Sequence, residues 1–401
     1  MLYTQEEVLE YVREEDVRFI RLAFCDVPGV PKNISMLSAE LPRAFRDGIS
    51  FDASAIRGFG DDARSDLFLF PDPSTLSILP WRPAQDRVAR MFCDIRRPNG
   101  APYACDTRNL LKQAVREAKT AGLACCFGAE FEFYLFKTDE NGAPTKMPLD
   151  AGSYMDIAPE DAGENVRREI CLTLSEMGIR PESSHHEEGP GQNEIDFTYG
   201  DALSAADNAI TVKTVISTIA ARHGLYASFA PKPLFDQPGS GMHINVSPVS
   251  ADGDCFYAFM AGILAHIEAL TLFLNPVPAS YDRLGGHKAP KFITWSPENR
   301  SQLIRIPAAD TARTRIELRS PDAMANPYLA YALLLWAGLD GVHRGMVPPP
   351  QTDVNLYAAN TVSEHCKPLP ATLEQAREAA ACSAFIRAHV PARILETMLT
   401  L

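Results

Sequence analysis

The sequence is short of positive charge. Its 401 residues include 51 Asp and Glu against 38 Lys and Arg, a formal net charge of −13 at pH 7. Binding a nucleic acid needs a basic surface that replaces counterions along the phosphate backbone, so that class of partner is disfavoured. Nucleotides and other small anions stay in play wherever arginines cluster or metals bind. Long apolar runs are also missing: candidates such as residues 325–339 are interrupted by polar side chains, and none reads as a membrane span. The opening "MLYTQEEVLEYVREEDV" carries acids early and no apolar stretch, which is not the pattern of a signal peptide and implies a cytoplasmic protein. The 9 cysteines are scattered without a C-x-x-C pair and read as reduced core residues, not as disulfides or a zinc site. There is no Walker A sequence, "PGSG" is not a dinucleotide fingerprint, and neither an internal repeat nor a low-complexity tract occurs.

What is present is a globular composition, 46% hydrophobic and 22% charged, on a chain long enough for a large core and more than one domain. Thr4 and Glu7 form a capping-box pattern ahead of a short periodic run. "VRFIRLAFCDV" and "GVPKNISML" read as paired strands around a Pro28-Gly29 turn. A helix near residues 39–47, an extended "DLFLFPDPSTLSILPW" and the strand "RVARMFCDI" complete a small α+β unit. "RRPNGAPYACD" is rich in turn formers and divides the chain into residues 1–100 and 101–401. Asp106 then caps a helix with Leu110, Leu111, Ala114, Val115 and Ala118 on one face. Helical runs recur at 159–178, 202–224, 256–274 and 327–338, and "MVPPPQTDVN" is a proline-rich connection. Strands joined by tight turns between these runs predict an α+β fold whose larger unit is a mainly antiparallel sheet with helices against one side.

Strand alternation then sorts the acids. In "ACCFGAEFEFYLF" the apolar face takes Cys125, Phe127, Ala129, Phe131, Phe133 and Leu135, which leaves Glu130 and Glu132 together on the other. Two like charges on one strand face also describe a half-solvated strand, so their company decides the reading. "HHEEGPGQNEIDF" puts Glu187 and Glu194 on either side of a Gly/Pro turn, with Asp196 on the same face as Glu194. "GSGMHINVS" aligns His243, Asn245 and Ser247, and "RTRIELRSP" aligns Arg315, Glu317 and Arg319. Carboxylates and one imidazole facing a common cavity demand cations, and hard oxygen ligands suit Mg²⁺ or Mn²⁺ over zinc. Nearby arginines fit phosphate. The combination points to phosphoryl transfer, in which positioning and charge neutralisation supply most of the catalysis.

The co-linear series "FDASAI…SDLFLFPDPST", "GAEFEF", "HHEEGPGQNE", "KPLFDQPGSGMHINVS", "NRSQLIRIP" and "RIELRSPDAMANPYL" closely resembles class I glutamine synthetases, over almost the whole chain. The resemblance implies an N-terminal β-grasp-like domain and a C-terminal catalytic domain on a curved, mainly antiparallel sheet with flanking helices. It also implies two stacked hexameric rings, a dodecamer in which a neighbour's N-terminal domain completes each active site. By residue-wise match, Glu132, Glu187 and Glu194 would form one metal site, and Glu130, His243 and Glu317 the second. Gly239, His243, Arg283 and Arg319 match substrate-binding positions. Arg300, Arg305 and Arg315 match phosphate-contacting arginines, with Arg319 near the transferred phosphoryl group. Tyr199 and Ser247 match the nucleotide pocket. The implied reaction uses ATP to phosphorylate the glutamate side chain, and ammonia then displaces phosphate from γ-glutamyl phosphate.

Some positions depart from the family pattern. Where the family flap carries a glutamate before Ala-Pro, this chain reads "YDRLGGHKAP", one residue shorter, with Lys288 in the acid's place. A protonated lysine cannot accept a proton from ammonium. At about 4 Å and an effective dielectric of about 20 it would oppose that cation by about 4 kcal/mol. Three further readings stay open: a different alignment gap, a flap that points Lys288 at solvent or at phosphate, and His287 as the base. In "FDASAI" Asp52 and Ser54 stand, while Ala53 and Ala55 replace Gly and Ser; Asp52 would still help bind ammonium across the subunit boundary. Pro238 replaces an Asn near the substrate amino group, and Asn245 a frequent His. Tyr357, near a site of covalent regulation in some members, reads as a structural tyrosine. Three hypotheses follow: a glutamate–ammonia ligase first, a γ-glutamyl ligase for another amine second, and a catalytically weak regulatory paralogue third.

Overall fold

The computed structural model describes residues 3–60, 63–250, 253, 255–309, 314–358 and 366–401. Thr4 opens the first helix, Gln5–Glu14, through the reciprocal bonds read from its sequence: Glu7 N donates to Thr4 Oγ1 at 3.2 Å and Thr4 N to Glu7 Oε2 at 2.7 Å. Strands Val17–Cys25 and Pro31–Leu37 pair antiparallel around Gly29, whose φ of +91° suits a residue without a Cβ. Strand Arg87–Arg96 lies parallel to Val17–Cys25. Asp66–Pro71 and Ile49–Asp52 extend the sheet, and Ser77–Ile78 pairs with Arg87–Arg96. This is the expected small α+β unit.

The second sheet is built around one long strand, Leu123–Thr138. Met242–Ser250 pairs on one side of it and Gln192–Phe197 on the other, with Pro181–His186 beyond; Ile316–Leu318, Ile304–Ile306 and Trp295–Pro297 continue past Met242–Ser250. Among the described residues, every pairing in this sheet is antiparallel except Trp295–Pro297 with Ile304–Ile306. The alternation read from the sequence holds: Phe127, Ala129, Phe131, Phe133 and Leu135 are buried on the apolar face, where Phe127 stacks on Tyr331 of helix Pro327–His343 at 4.7 Å. That face carries the helices and leaves the acidic face open.

Helix Phe256–Leu274 corrects one expectation. It is long and apolar enough to cross a membrane, a run partly masked in the sequence by His266 and Glu268. Yet 72% of its most apolar stretch is buried inside the protein, because it packs along Pro327–His343. The two backbones touch: a Cβ on Gly262 would lie 2.0 Å from Ala337 O, and one on Gly341 would lie 2.1 Å from Ala258 O. Residues 159–163, expected in a helix, lie outside it; the helix is Glu164–Glu176. Asp161 Oδ1 accepts from Gly163 N at 2.9 Å, and an acid that captures a nearby amide favours a turn over helix. Three C-terminal helices, Leu373–Cys382, Ala384–His389 and Ala392–Leu399, close the chain.

A buried arginine ties the two sheets together. Arg108, at the start of helix Thr107–Thr120, is 3% exposed. Its guanidinium donates to Asp207 at 2.9 and 2.8 Å, to Asp94 at 3.0 Å and to Asp72 at 3.0 Å. Asp72 and Asp94 belong to the first unit, Asp207 to helix Ala202–Arg222. Burial would raise the Asp72 carboxyl, but Arg108, Ser74 and Lys112 outweigh it and hold it down at about 2. Removing one partner from such a buried set leaves the other charges uncompensated. Arg108→Ala is therefore expected to lower stability by about 3–5 kcal/mol, read as a fall in the denaturant midpoint; an unchanged midpoint would show that the cluster is not a structural tie.

Candidate active site

Register brings the acids together. Glu130 sits opposite His243 on one side and Asp196 on the other, and Glu132 sits opposite Glu194, which in turn faces His185. Glu187 follows the hairpin strand, its N–H donating to Gln192 O at 2.8 Å. All of these except the buried Glu317, one strand further along, line a cavity of about 540 Å³, together with Arg283, Arg300, Arg305, Arg315 and Arg319.

Within it, His243 Nδ1 lies 3.1 Å from Glu130 and 4.0 Å from Glu317, and Nε2 lies 3.7 Å from Glu132. Asn245 Nδ2 donates to Glu130 at 2.8 Å, and Arg315 Nε donates to Asn245 Oδ1 at 3.0 Å. Asn245 thus links the acid to an arginine. Burial pushes Glu130 up, but His243, Asn245 and Arg315 outweigh it and hold it at about 2. Its neighbours go the other way. Burial, then the charges of Glu132, Asp196, Glu130 and Glu187, drive Glu194 well above the usual carboxylate range, and burial with Glu130 lifts Asp196 to about 6. Acids whose carboxyls are raised by burial and by one another's charge are a donor set short of cations. Three groups converge closely enough to share an ion, with ligand atoms within 4.8 Å of one another: Glu130, His243 and Glu317; His185, Glu187 and Glu194; and Glu130, Glu194 and Asp196. Oxygen-rich groups of this kind fit hard divalent ions.

The geometry sorts the sequence-derived residues. Glu130, His243 and Glu317 come together as a set. Glu187 and Glu194 do too, but their third neighbour is His185, 3.1 Å from Glu187. Glu132 instead accepts from Gly241 N at 2.8 Å. His185 and Asp196 were absent from the expected ligand sets. The two-residue period pointed to Asp196, which shares a face with Glu194, whereas His185 lies opposite Glu194 only through the pairing of the two hairpin strands. A further group, Asp150, Asp161 and His186, lies behind the hairpin and is closed by protein partners: His186 contacts Glu187 O at 2.6 Å and Asp150 at 3.0 Å, and Arg167 donates to Asp161.

The arginines surround the acids. Glu317 accepts from Arg305 at 2.7 Å and from Arg319 at 3.0 Å. Arg283 is 4% exposed and donates to Ser320 O at 2.7 Å and Arg319 O at 3.2 Å. Gly239 and Gly241 make room for it: added Cβ atoms would lie 2.8 Å from Arg283 Cγ and 2.5 Å from its Nη2. Pro238 contributes its carbonyl, which accepts from Tyr134 OH at 2.7 Å. Among the described residues, the cavity wall does not include Asp52, Tyr199 or Ser247. Asp52 is exposed in the first sheet and accepts from Ser54 N at 2.9 Å. Tyr199 lies 5.8 Å from the Arg315 guanidinium, and Ser247 Oγ donates to Thr314 O at 3.3 Å. The Lys288 side chain is 55% exposed, and its Nζ lies 2.5 Å from Glu188. Burial lowers its pKa, but the bond and charge of Glu188 outweigh that and raise it, so it stays a cation. His287 lines the cavity beside it.

Glu194→Gln and Glu317→Gln are each expected to weaken Mn²⁺ binding by the nucleotide-free protein at least ~10-fold, the lower bound for disturbing even an outer partner of a metal ligand. The paramagnetic resonance of free Mn²⁺ reads this directly, and wild-type affinity in both variants would remove these acids from the metal sites.

Comparison with known proteins finds relatives over nearly the whole chain. Residues 16–98 match the description "Glutamine synthetase, beta-Grasp domain" and residues 104–401 match "Glutamine synthetase, catalytic domain". The glutamine synthetase of Clostridium saccharobutylicum is 46% identical over 370 residues, covering 89% of this chain and 84% of that protein. The one from Methanosarcina mazei is 45% identical over 402 residues, covering 96% and 90%. Among solved structures, a GmaS/ADP complex superposes with a TM-score of 0.88 at 30% identity, covering 98% of this chain and 94% of that one. A Plasmodium falciparum glutamine synthetase shares the fold, with a TM-score of 0.87 at 24% identity over 99% and 95% of the two chains. With both sheets matched and nearly half of its residues shared with these relatives, the chain belongs to the glutamine synthetase family.

Proposed function

We infer that this chain is an ATP-dependent glutamate–ammonia ligase that makes glutamine, ADP and phosphate. One observation carries the reading: a crowd of cation-hungry carboxylates and an arc of arginines share one cavity, with a buried arginine and two glycines at one end. In our reading, Glu130, His243 and Glu317 hold one divalent ion, Mg²⁺ or Mn²⁺. Glu187 and Glu194, with Glu132 or His185 as third ligand, hold another. Ions bound there would supply charge neutralisation between the terminal phosphate and the glutamate carboxylate.

The remaining work falls to side chains. Arg300, Arg305 and Arg315 face the nucleotide phosphates, and Tyr199 and Ser247 extend toward the nucleoside. Arg319, held by Glu317, is preorganised for the transferred phosphoryl group, so its charge needs no reorganisation during the reaction. Arg283, Gly239 and His243 receive the glutamate end. The γ-carboxylate attacks the terminal phosphorus, ADP leaves, and γ-glutamyl phosphate forms. Ammonia then attacks the acyl carbon and phosphate leaves. Asp52 is exposed and does not line its own chain's cavity, and we propose that it serves the site of a neighbouring copy in a cytoplasmic homo-oligomer of two hexameric rings.

Lys288 favours a second reading, transfer to a different amine, because among the described residues the flap offers no carboxylate to an incoming ammonium. Phosphate release from Mg-ATP and glutamate separates the two. Release with ammonia and formation of glutamine is the expected result. Release only with an organic amine would replace ammonia as the acceptor, and no release with either would remove the ligase reading.

A further inference from the structure

Glu187 follows the edge strand of the second sheet, Pro181–His186, and among the described residues no strand lies beyond it. His185 and Glu194 oppose each other on the acidic face, so the next rung, His186 opposite Asn193, points to the back. Both back-facing side chains are buried, at 0% and 1% exposure. Polar groups buried there cost stability unless each finds a partner. The segment after residue 148 supplies the partners. Asp150 Oδ1 lies 3.0 Å from His186 Nε2 and accepts from Gly191 N at 2.7 Å, while its Oδ2 accepts from Ala162 N at 3.0 Å. The other ring nitrogen of His186, Nδ1, lies 2.6 Å from Glu187 O, and Met155 N donates to His186 O at 3.0 Å. Asn193 donates to Gly191 O at 2.9 Å and accepts from Arg167 at 2.6 Å. The layer has no slack: a Cβ on Gly152 would lie 2.9 Å from His186 Nε2, and one on Gly163 would lie 2.9 Å from Asn193 Oδ1.

We propose that Asp150 is a positioning residue for the divalent ion assigned to Glu187 and Glu194. This inference rests on the metal reading given above. Asp150 acts through other groups, and one of its oxygens reaches both sides of the hairpin turn. Through the His186 ring it fixes the carbonyl of Glu187. Through Gly191 N it fixes the point from which the returning strand carries Glu194 back to the cavity. The spacing of the two acids is thereby set from behind the sheet, by a carboxylate on a different segment of the chain. Fixed spacing bears on which ion is preferred. Mg²⁺ is small and demands near-ideal octahedral geometry, whereas Ca²⁺ accepts more oxygens in looser arrangements. Acids held apart at one distance favour the smaller ion, and acids free to shift lose that preference.

The test is ion binding by the assembled, nucleotide-free protein: Mn²⁺ by the paramagnetic resonance of the free ion, Mg²⁺ and Ca²⁺ by competition against it. Asp150→Asn and His186→Asn are each expected to weaken one class of Mn²⁺ site about 10- to 100-fold, the range for an outer partner of a metal ligand, and to leave the other class unchanged. Both should also lower the ratio of Mg²⁺ to Ca²⁺ affinity at the weakened site. Asp150→Asn removes a negative charge and His186→Asn removes none, so loss of charge alone would weaken binding in the first variant only. In a Glu187→Gln background, where the ligand is already gone, Asp150→Asn should add less than about 2-fold, the scatter of independent changes. A merely structural role would weaken both classes of site, keep the ion preference and repeat its full cost in the Glu187→Gln background; that pattern overturns the proposal. Wild-type affinity and ion preference in both Asp150→Asn and His186→Asn overturn it too. Gly152→Ala keeps both partners and presses a methyl on His186 Nε2, so its Mg²⁺ to Ca²⁺ ratio decides the matter if the other two do not fold. Wild-type Mn²⁺ binding by Glu187→Gln would instead overturn the metal reading itself, and this inference with it.

Discussion

Mutual repulsion among carboxylates is the constraint from which the rest of the molecule follows. A strand that aligns Glu130 and Glu132 on one face, between strands that add His243, Glu194 and Asp196, concentrates like charge where burial makes it costly. Glu130 escapes through His243 and Asn245, and Glu317 through Arg305 and Arg319. Glu194 and Asp196 do not escape and are pushed toward protonation. Stability alone would have placed apolar or neutral residues there. The arrangement becomes favourable only with cations, so binding and folding share one set of side chains.

The apolar face of the same strand makes that concentration tolerable. Phe127, Phe131 and Phe133 are fully buried, and behind them two helices meet backbone to backbone at Gly262 and Gly341. A scaffold this closely packed holds charged neighbours at fixed distances, since relief by drifting apart would open voids in the core. Positioning by packing on one face and strain by charge on the other are two results of a single two-residue period.

That period explains which features were legible beforehand. The face carrying Glu130 and Glu132, the hairpin joining Glu187 to Glu194 and the cap at Asp106 are local, and each was readable from neighbouring residues. The family resemblance supplied the grouping of Glu130, His243 and Glu317, which no local rule yields because they come from three strands. What escaped depended on distant partners. His185 gains its place only once Pro181–His186 is registered against Gln192–Phe197. Lys288 could be placed opposite ammonium, at phosphate or in solvent until the hairpin turn set Glu188 beside it. The start of helix Glu164–Glu176 moved because Asp161 bonds to Arg167 and Gly163. The helix after Thr372 went unread although Thr372 Oγ1 accepts from Gln375 N, a signal present in the sequence itself.

The Arg108 cluster sets how the first sheet sits against the rest of the chain. By locking Asp72 and Asp94 to Asp207, it fixes the orientation of the first sheet, and with it the direction in which Asp52 is displayed. In a head-to-tail series, the rotation from one copy to the next decides whether the series closes on itself or runs on as an open filament. In the two-ring assembly proposed above, the Arg108 charges beneath Phe92 would set the angle at which each copy offers Asp52 to the next.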